Sequence, residues 1–172
     1  MGSREKRGLA LLGVAVVGAL VLFQEEPAPL NNAPVDLVDL SGVEMTAVTI
    51  SGEEGLLDAS RTDDGIWTIT APFDALGSSG RFEELEEAID ALEVLPVAGE
   101  GEAETYGFTP PHLTLVGRLT SGEELKLEIG ASTEVGENRY LRLNGGSVHV
   151  GLMRQLAPLE RSFATYPADA GL

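Results

Sequence analysis

The side chains that could shuttle a proton near neutral pH are two histidines, His112 and His149, set among 28 Asp and Glu and only 11 Lys and Arg. A histidine held by a carboxylate is the smallest general acid–base unit. Neither histidine lies in a recognisable constellation, and both read as surface residues. His149 alternates with Val148 and Val150, which places it on the strand face of Ser147 and away from the inward valines. Carboxylate neighbours such as Glu83-Glu84 and Glu123-Glu124 are what so acidic a chain yields by chance, so no acid and base can be singled out. Asp58, Asp63 and Asp64 near Gly65 offer oxygen ligands for calcium, but their spacing is not that of an EF-hand loop. The chain has no G-x-S-x-G elbow, no H-E-x-x-H helix and no phosphate-binding glycine loop ending in lysine. Zero cysteines remove thiolate nucleophiles, thiolate metal sites, disulfides and a lipidated N-terminal cysteine. The chain therefore reads as no enzyme, with no catalytic residue, cofactor or metal site assigned.

The elements that would have to position any site are legible in the pattern. Val43 to Ile50 reads as a strand on its β-branched Val48, Thr49 and Ile50. Ser51 to Gly55 turns the chain into a second strand, Leu56 to Arg61. Asp63-Asp64-Gly65 then makes a tight turn into Ile66 to Thr70, a hairpin ended by Pro72. Trp67, the sole tryptophan, lies between Ile66 and Ile69, where core packing fits better than a ligand platform. Phe82, Leu85, Ile89 and Leu92 recur at helical spacing, with the helix starting near Ser79 or Gly80. Glu83, Glu84, Glu86, Glu87 and Asp90 fill its other side and read as a solvated face, with acids in the first turns favouring the helix dipole. Pro96 marks the exit, and Ala98 to Thr105 reads as a loop or irregular edge strand.

The second half alternates more cleanly. Leu113, Leu115 and Leu119 face one way and Thr114 and Arg118 the other. After Thr120 to Glu123, the residues Leu125, Leu127 and Ile129 alternate with Glu124, Lys126 and Glu128, making an antiparallel hairpin with one wet face. Gly130 to Glu137 is a connection, and Tyr140 to Leu143 pairs with Ser147 to Val150 across Asn144-Gly145-Gly146. Leu141, Leu143, Val148 and Val150 are expected inward. A short helical piece carries Leu152, Leu156 and Leu159 and breaks at Pro158. Tyr106-Gly107 followed by Pro110-Pro111 reads as a structural corner. Gly107 allows a positive φ there, and each proline fixes its own φ near about −65°, aiming the chain into the strand at His112. The expected fold is α+β, an antiparallel sheet of hairpins packed against one main amphipathic helix.

Location comes from the N-terminus. Gly8 to Phe23 carries no charged or hydrogen-bonding side chain. As a helix it would rise through roughly 24 Å, short of the roughly 30 Å hydrocarbon core, with Lys6 and Arg7 able to snorkel to the headgroups. A cleaved signal peptide fits less well, because Gln24, Glu25, Glu26 and Pro27 follow the span. The later candidate at Ala33 has Asn31 two positions before it and Pro34 directly after it. A buried helix of the core fits least. Arg4, Lys6 and Arg7 precede the span and Glu25 and Glu26 follow it, so the positive-inside rule keeps the N-terminus cytoplasmic. The expected organisation is a basic cytoplasmic tail over 1–7, a single-pass transmembrane signal-anchor over 8–23, a Pro-rich linker over 24–34, an exported periplasmic α+β domain over 35–163 and a flexible tail over 164–172. The net charge of −17 makes nucleic acid an unfavourable partner.

Several motifs, in order, carry a resemblance. Ile66-Trp67-Thr68-Ile69 runs into Ala71-Pro72, and Asp74 precedes the amphipathic helix. Tyr106-Gly107-Phe108-Thr109-Pro110-Pro111 then opens a strand, Leu127-Glu128-Ile129-Gly130 follows, and Tyr140-Leu141-Arg142 pairs with Val148-His149-Val150. Together they resemble the domain-of-unknown-function 4340 family over about Val43 to Phe163. The resemblance implies a bacterial inner-membrane protein with an exported β-rich domain, encoded beside ABC-transporter subunits of the gliding-motility auxiliary type. It marks Trp67, Pro72, Tyr106, Gly107, Pro110, Pro111 and Gly130 as structural motif residues and implies no reaction.

Three function classes remain. The leading one is a membrane-anchored accessory protein that presents its acidic domain to a membrane or envelope protein partner, with ABC-transporter subunits as the implied candidates. The others are an exported small-molecule or ion-binding module and an enzyme with an unrecognised site. A flat sheet face with exposed apolar residues favours the first, and a concave pocket with converging polar groups the second.

Overall fold

The computed structural model describes residues 33–96, 102–134 and 136–168. The expected tail over 1–7, anchor over 8–23 and nearly all of the linker lie outside them. Among the described residues no helix is long and apolar enough to cross a membrane.

The domain is mostly one antiparallel sheet. Its strands are β1 (Val35–Asp36), β2 (Met45–Gly52), β3 (Gly55–Arg61), β4 (Trp67–Ala71), β5 (Ala75–Leu76), β6 (Glu93–Pro96), β7 (Leu113–Leu119), β8 (Glu124–Ser132), β9 (Arg139–Leu143) and β10 (Val148–Gly151). They lie in the order β1-β6-β10-β9-β8-β7-β2-β3-β4-β5. Two meanders, β2 to β5 and β7 to β10, join where β2 pairs with β7. The helix α1 (Ser79–Asp90) follows β5 at one edge and delivers the chain to β6 near the other. Those strands are eight intervals apart, about 38 Å across a flat sheet, whereas a helix of this length covers about 18 Å. The sheet must therefore curl around α1, as large twisted sheets do.

That curl closes one core. Phe82, Leu85, Ile89 and Leu92 from the helical segment meet Val48, Ile50, Leu57, Ile69, Leu115, Leu127, Ile129 and Leu141 from the sheet. Trp67 belongs here, 2% exposed, with its ring stacked 4.1 Å from Phe82. The hairpins, the helix and its apolar stripe are as the spacing predicts.

Several expectations change. The register pairs Val148 with Arg142, His149 with Leu141 and Val150 with Tyr140, so His149 lies on the helix side with Leu141 and the two valines lie opposite. The alternation was correct and its phase inverted, because a short strand of two valines flanking one histidine does not reveal which side is covered. Strand β8 continues through Gly130 to Ser132, with a register shift after Ile129, so the connection starts later than Gly130. Three short strands, β1, β5 and β6, escape the sequence pattern, since two to four residues are too few for a period.

The helix begins at Ser79, and no acid lies in its first turn. Its acidic face is only partly solvated. Asp90 accepts the Leu40 N–H at 2.7 Å and Glu86 accepts the Met45 N–H at 2.9 Å, stapling the chain before β2 to α1. Glu84 pairs with Arg81 and Arg161. The tail expected to be flexible is held through Ala168. A 3₁₀ turn spans Phe163–Thr165, the Tyr166 carbonyl accepts the Ser78 N–H at 2.7 Å, and the Ala168 N–H donates to the Leu76 carbonyl at 2.8 Å. Tyr166 is 2% exposed beside Phe82, and burial pushes its phenol up to about 12. Phe163 and Tyr166 docking into the core, together with these backbone bonds, pin this segment.

Candidate functional site

The sheet has an inner face toward α1 and an outer face, and the two halves of the outer face differ. Over β8 and β9 it is largely covered. The segment before β7 lays Tyr106 and Phe108 onto the sheet, 9% and 4% exposed, separate from the main core. Tyr106 meets Tyr140 edge-on at 4.9 Å, and the Arg142 guanidinium stands 4.5 Å over the Phe108 ring. The Ala131 N–H donates to the Tyr106 carbonyl at 2.9 Å. Gly107 has φ 74°, as the corner requires. A Cβ on Gly130 would strike the Tyr106 carbonyl and approach the Phe108 ring. Tyr106, Gly107 and Gly130 thus meet in one lid over the sheet, and Pro110 and Pro111 lead the chain from it into β7 and line a cleft beside it. Trp67 is in the main core, and Pro72 follows β4 through a cis Ala71-Pro72 bond.

The lid also buries Glu128, which the pattern places on a wet face; it is 4% exposed. Its carboxylate meets Arg142 Nε at 2.6 Å and Lys126 Nζ at 3.0 Å. Burial opposes its ionisation, but the hydrogen bonds and charges of Arg142 and Lys126 outweigh burial and hold the carboxyl below its ordinary range.

At one end of the sheet, four segments converge around a cleft of about 670 Å³ that includes Ser51, His112, Thr114 and Arg139. His112 stands between two carboxylates, Nδ1 3.5 Å from Glu53 and Nε2 3.7 Å from Glu160. Arg139 Nε lies 2.8 Å from Glu160 Oε1, but the two are not aligned as a hydrogen bond. The arrangement is an ion cluster, and among the described residues no group of three or more His, Asp or Glu is placed to hold a metal. His112 is therefore a half-buried wall of the cleft, not a freely solvated residue. His149, on the inner face, has its imidazole pushed down by burial, and Nδ1 has no hydrogen-bond partner. The two histidines do not share a site.

Over β2 to β5 the outer face is bare. It presents Ala47, Thr49 and Ser51 from β2, Leu56, Asp58 and Ser60 from β3, and Thr68 and Thr70 from β4, following the register. Leu56 is 46% exposed and Leu76 64%. Ile66, 47% exposed, precedes Trp67 on this same side, diagonal to Leu76, which pairs with Thr68. A concavity of about 310 Å³ opens in this face around Asp58, with Arg118 and Glu124 on its wall. Asp58 accepts the Thr49 hydroxyl at 2.9 Å and the Thr70 hydroxyl at 3.2 Å. Asp64 instead accepts the Thr62 hydroxyl inside the β3–β4 turn, where Asp63 also lies, so Asp58 and the turn aspartates are in different places. Sequence reasoning weighed Asp58 only as a calcium ligand. Its alternation with Leu57 and Ala59 was the available signal that it faces outward. Comparison of the chain with protein-family models, with curated proteins and with solved structures finds no match.

Proposed function

We propose that the chain is a non-catalytic, membrane-tethered accessory protein whose acidic domain presents the bare outer face of β2 to β5 to a membrane or envelope protein partner. The carrying observation is the asymmetry of that face. One half is largely covered by its own lid, while the other leaves Leu56, Ile66 and Leu76 in water beside small hydroxyl side chains. Exposed apolar groups that gather on one face into a patch mark a protein contact. The apolar Gly8 to Phe23 segment acts as the tether, with the basic N-terminus in the cytoplasm and the domain outside. Confinement to the membrane surface raises the effective concentration near a membrane-bound partner, so a small contact suffices. The motif resemblance supports ABC-transporter subunits of the gliding-auxiliary type as the partner class.

The cleft beside His112 favours a second reading, an exported small-molecule binding module, because it is the larger concavity and gathers polar groups from four segments. Photo-crosslinkers at Leu56 and at Tyr140 of the full-length chain in membranes separate the two. The first reading expects a discrete protein adduct from Leu56, none from Tyr140, and loss of both adduct and affinity capture when Met1 to Phe23 is removed and export restored by another signal. No adduct at low salt, with saturable binding of a small metabolite blocked by Arg139→Gln, would replace it with the second.

A further inference from the structure

Asp58 is the one charged residue near the centre of the bare face, and its surroundings are specific. Its two carboxylate oxygens are approached from opposite sides, Oδ1 by the Thr49 hydroxyl of β2 and Oδ2 by the Thr70 hydroxyl of β4, which also reaches the Asp58 carbonyl at 3.4 Å. Three adjacent strands therefore fix one orientation of the carboxylate. No Lys, Arg or His pairs with it among the described residues. A carboxylate offers about four acceptor positions and a hydroxyl spends its single proton when it donates. Two acceptor positions on Asp58, and lone pairs on both threonines, therefore have no protein donor among the described residues.

The site has room as well as unmet acceptors. Ala47 and Ser60 keep the concavity of about 310 Å³ open around the carboxylate. Arg118 and Glu124 are cross-strand neighbours on its wall, and together with Asp58 they leave the lining with a net negative charge. The turns that frame this part of the sheet add exposed Asp63, Asp64 and Asp74. At Asp58 the carboxylate and the two threonine oxygens present acceptors, with the Arg118 guanidinium set apart on the wall, and an ammonium brings three donors to them and a guanidinium five.

Building on the docking face argued above, we propose that the concavity around Asp58 takes a lysine or arginine side chain of the protein partner. The cation is held by the carboxylate and the two threonine oxygens, while Leu56, Ile66 and Leu76 supply the apolar surround. The recognised partner surface is then apolar with a central basic residue. An anionic bilayer is excluded by the same charges.

The test uses the full-length chain in detergent micelles, titrated with n-butylammonium as a stand-in for the lysine head and n-butanol as the neutral control, read by NMR. Saturable shifts should be confined to Thr49, Asp58, Thr70 and their neighbours. Binding should weaken about tenfold or more in Asp58→Asn, as expected for loss of a charge-assisted contact. Ser60→Leu fills the concavity without touching the carboxylate and should give the same loss even if Asp58→Asn unfolds. Equal shifts with butanol, or butylammonium binding unchanged in both variants, overturns the cation site. Crosslinked capture from membranes separates the levels. A partner recovered equally by wild type and both variants overturns this inference and leaves the docking face standing. No partner with wild type, together with free lysine binding at Asp58 more tightly than butylammonium, overturns the docking reading in favour of an amino-acid site spanning Asp58 and Arg118.

Discussion

The outer face of this sheet is built twice, in two chemistries. Over β8 and β9 the strands carry Glu128, Gly130, Tyr140 and Arg142, and a preceding segment covers them with Tyr106 and Phe108. Over β2 to β4 they carry Thr49, Asp58, Ser60, Thr68 and Thr70, and no described segment covers them. The first half spends its polar groups internally, since Glu128 is neutralised by Arg142 and Lys126 beneath the lid. The second keeps its central carboxylate without a cation. Substitutions in the covered half should therefore register as stability, and those in the bare half as partner binding.

The largest effect should come from the lid. Phe108→Ala removes a buried ring and its contact with Arg142, and should cost about 3–5 kcal/mol in urea unfolding, against about 0.5 kcal/mol or less for Leu56→Ala. Equal costs would erase the distinction between the halves. Glu128→Gln should cost about 2–3 kcal/mol at pH 7, less than a fully buried pair because Lys126 is half-exposed. The folded carboxyl titrates below its ordinary value of 4.5, so its stabilisation is complete above that pH and disappears as pH falls through the folded pKa. The variant should lack that part of the acid slope. Gly130→Ala forces a methyl against the Tyr106 carbonyl, with an expected cost of about 1–3 kcal/mol and increased accessibility of Tyr140 to iodination.

The smallest effect belongs to His149, which lies under neither half of the outer face. Its folded pKa is depressed below 6.5, so the unfolded chain binds more protons as pH drops below that value. Wild-type stability should thus decline from pH 7 downward through 6.5, by no more than about 1.4 kcal/mol per pH unit, and level off below the folded pKa. His149→Gln should flatten this segment of the profile. An unchanged profile would place His149 back in solvent, as its strand pattern first suggested.

What was readable in the chain was whatever repeats within a few residues. The apolar stripe of α1, the alternation of β7 and β8 and the glycine turns between strands depend on local geometry, and each lies where its spacing puts it. The corner at Tyr106-Gly107 was equally local. Which side of a strand is covered is not local. Val148 and Val150 look like core residues until pairing with Tyr140 and Arg142 turns them outward, and His149 looks polar-facing until Leu141 takes it inward. Glu86 and Asp90 look solvated until their carboxylates receive backbone N–H groups from a segment more than forty residues upstream.

By itself, then, the sequence determined the helix, three hairpins, the apolar N-terminal segment and the exclusion of thiol chemistry, because these rest on composition and short-range period. The tertiary structure alone decided that the sheet curls around α1, that Phe163 and Tyr166 anchor the C-terminal segment, and that one half of the outer face is largely covered while the other holds Asp58 between two threonines. Each of these depends on which distant strands become neighbours, and side-chain alternation carries no record of that choice.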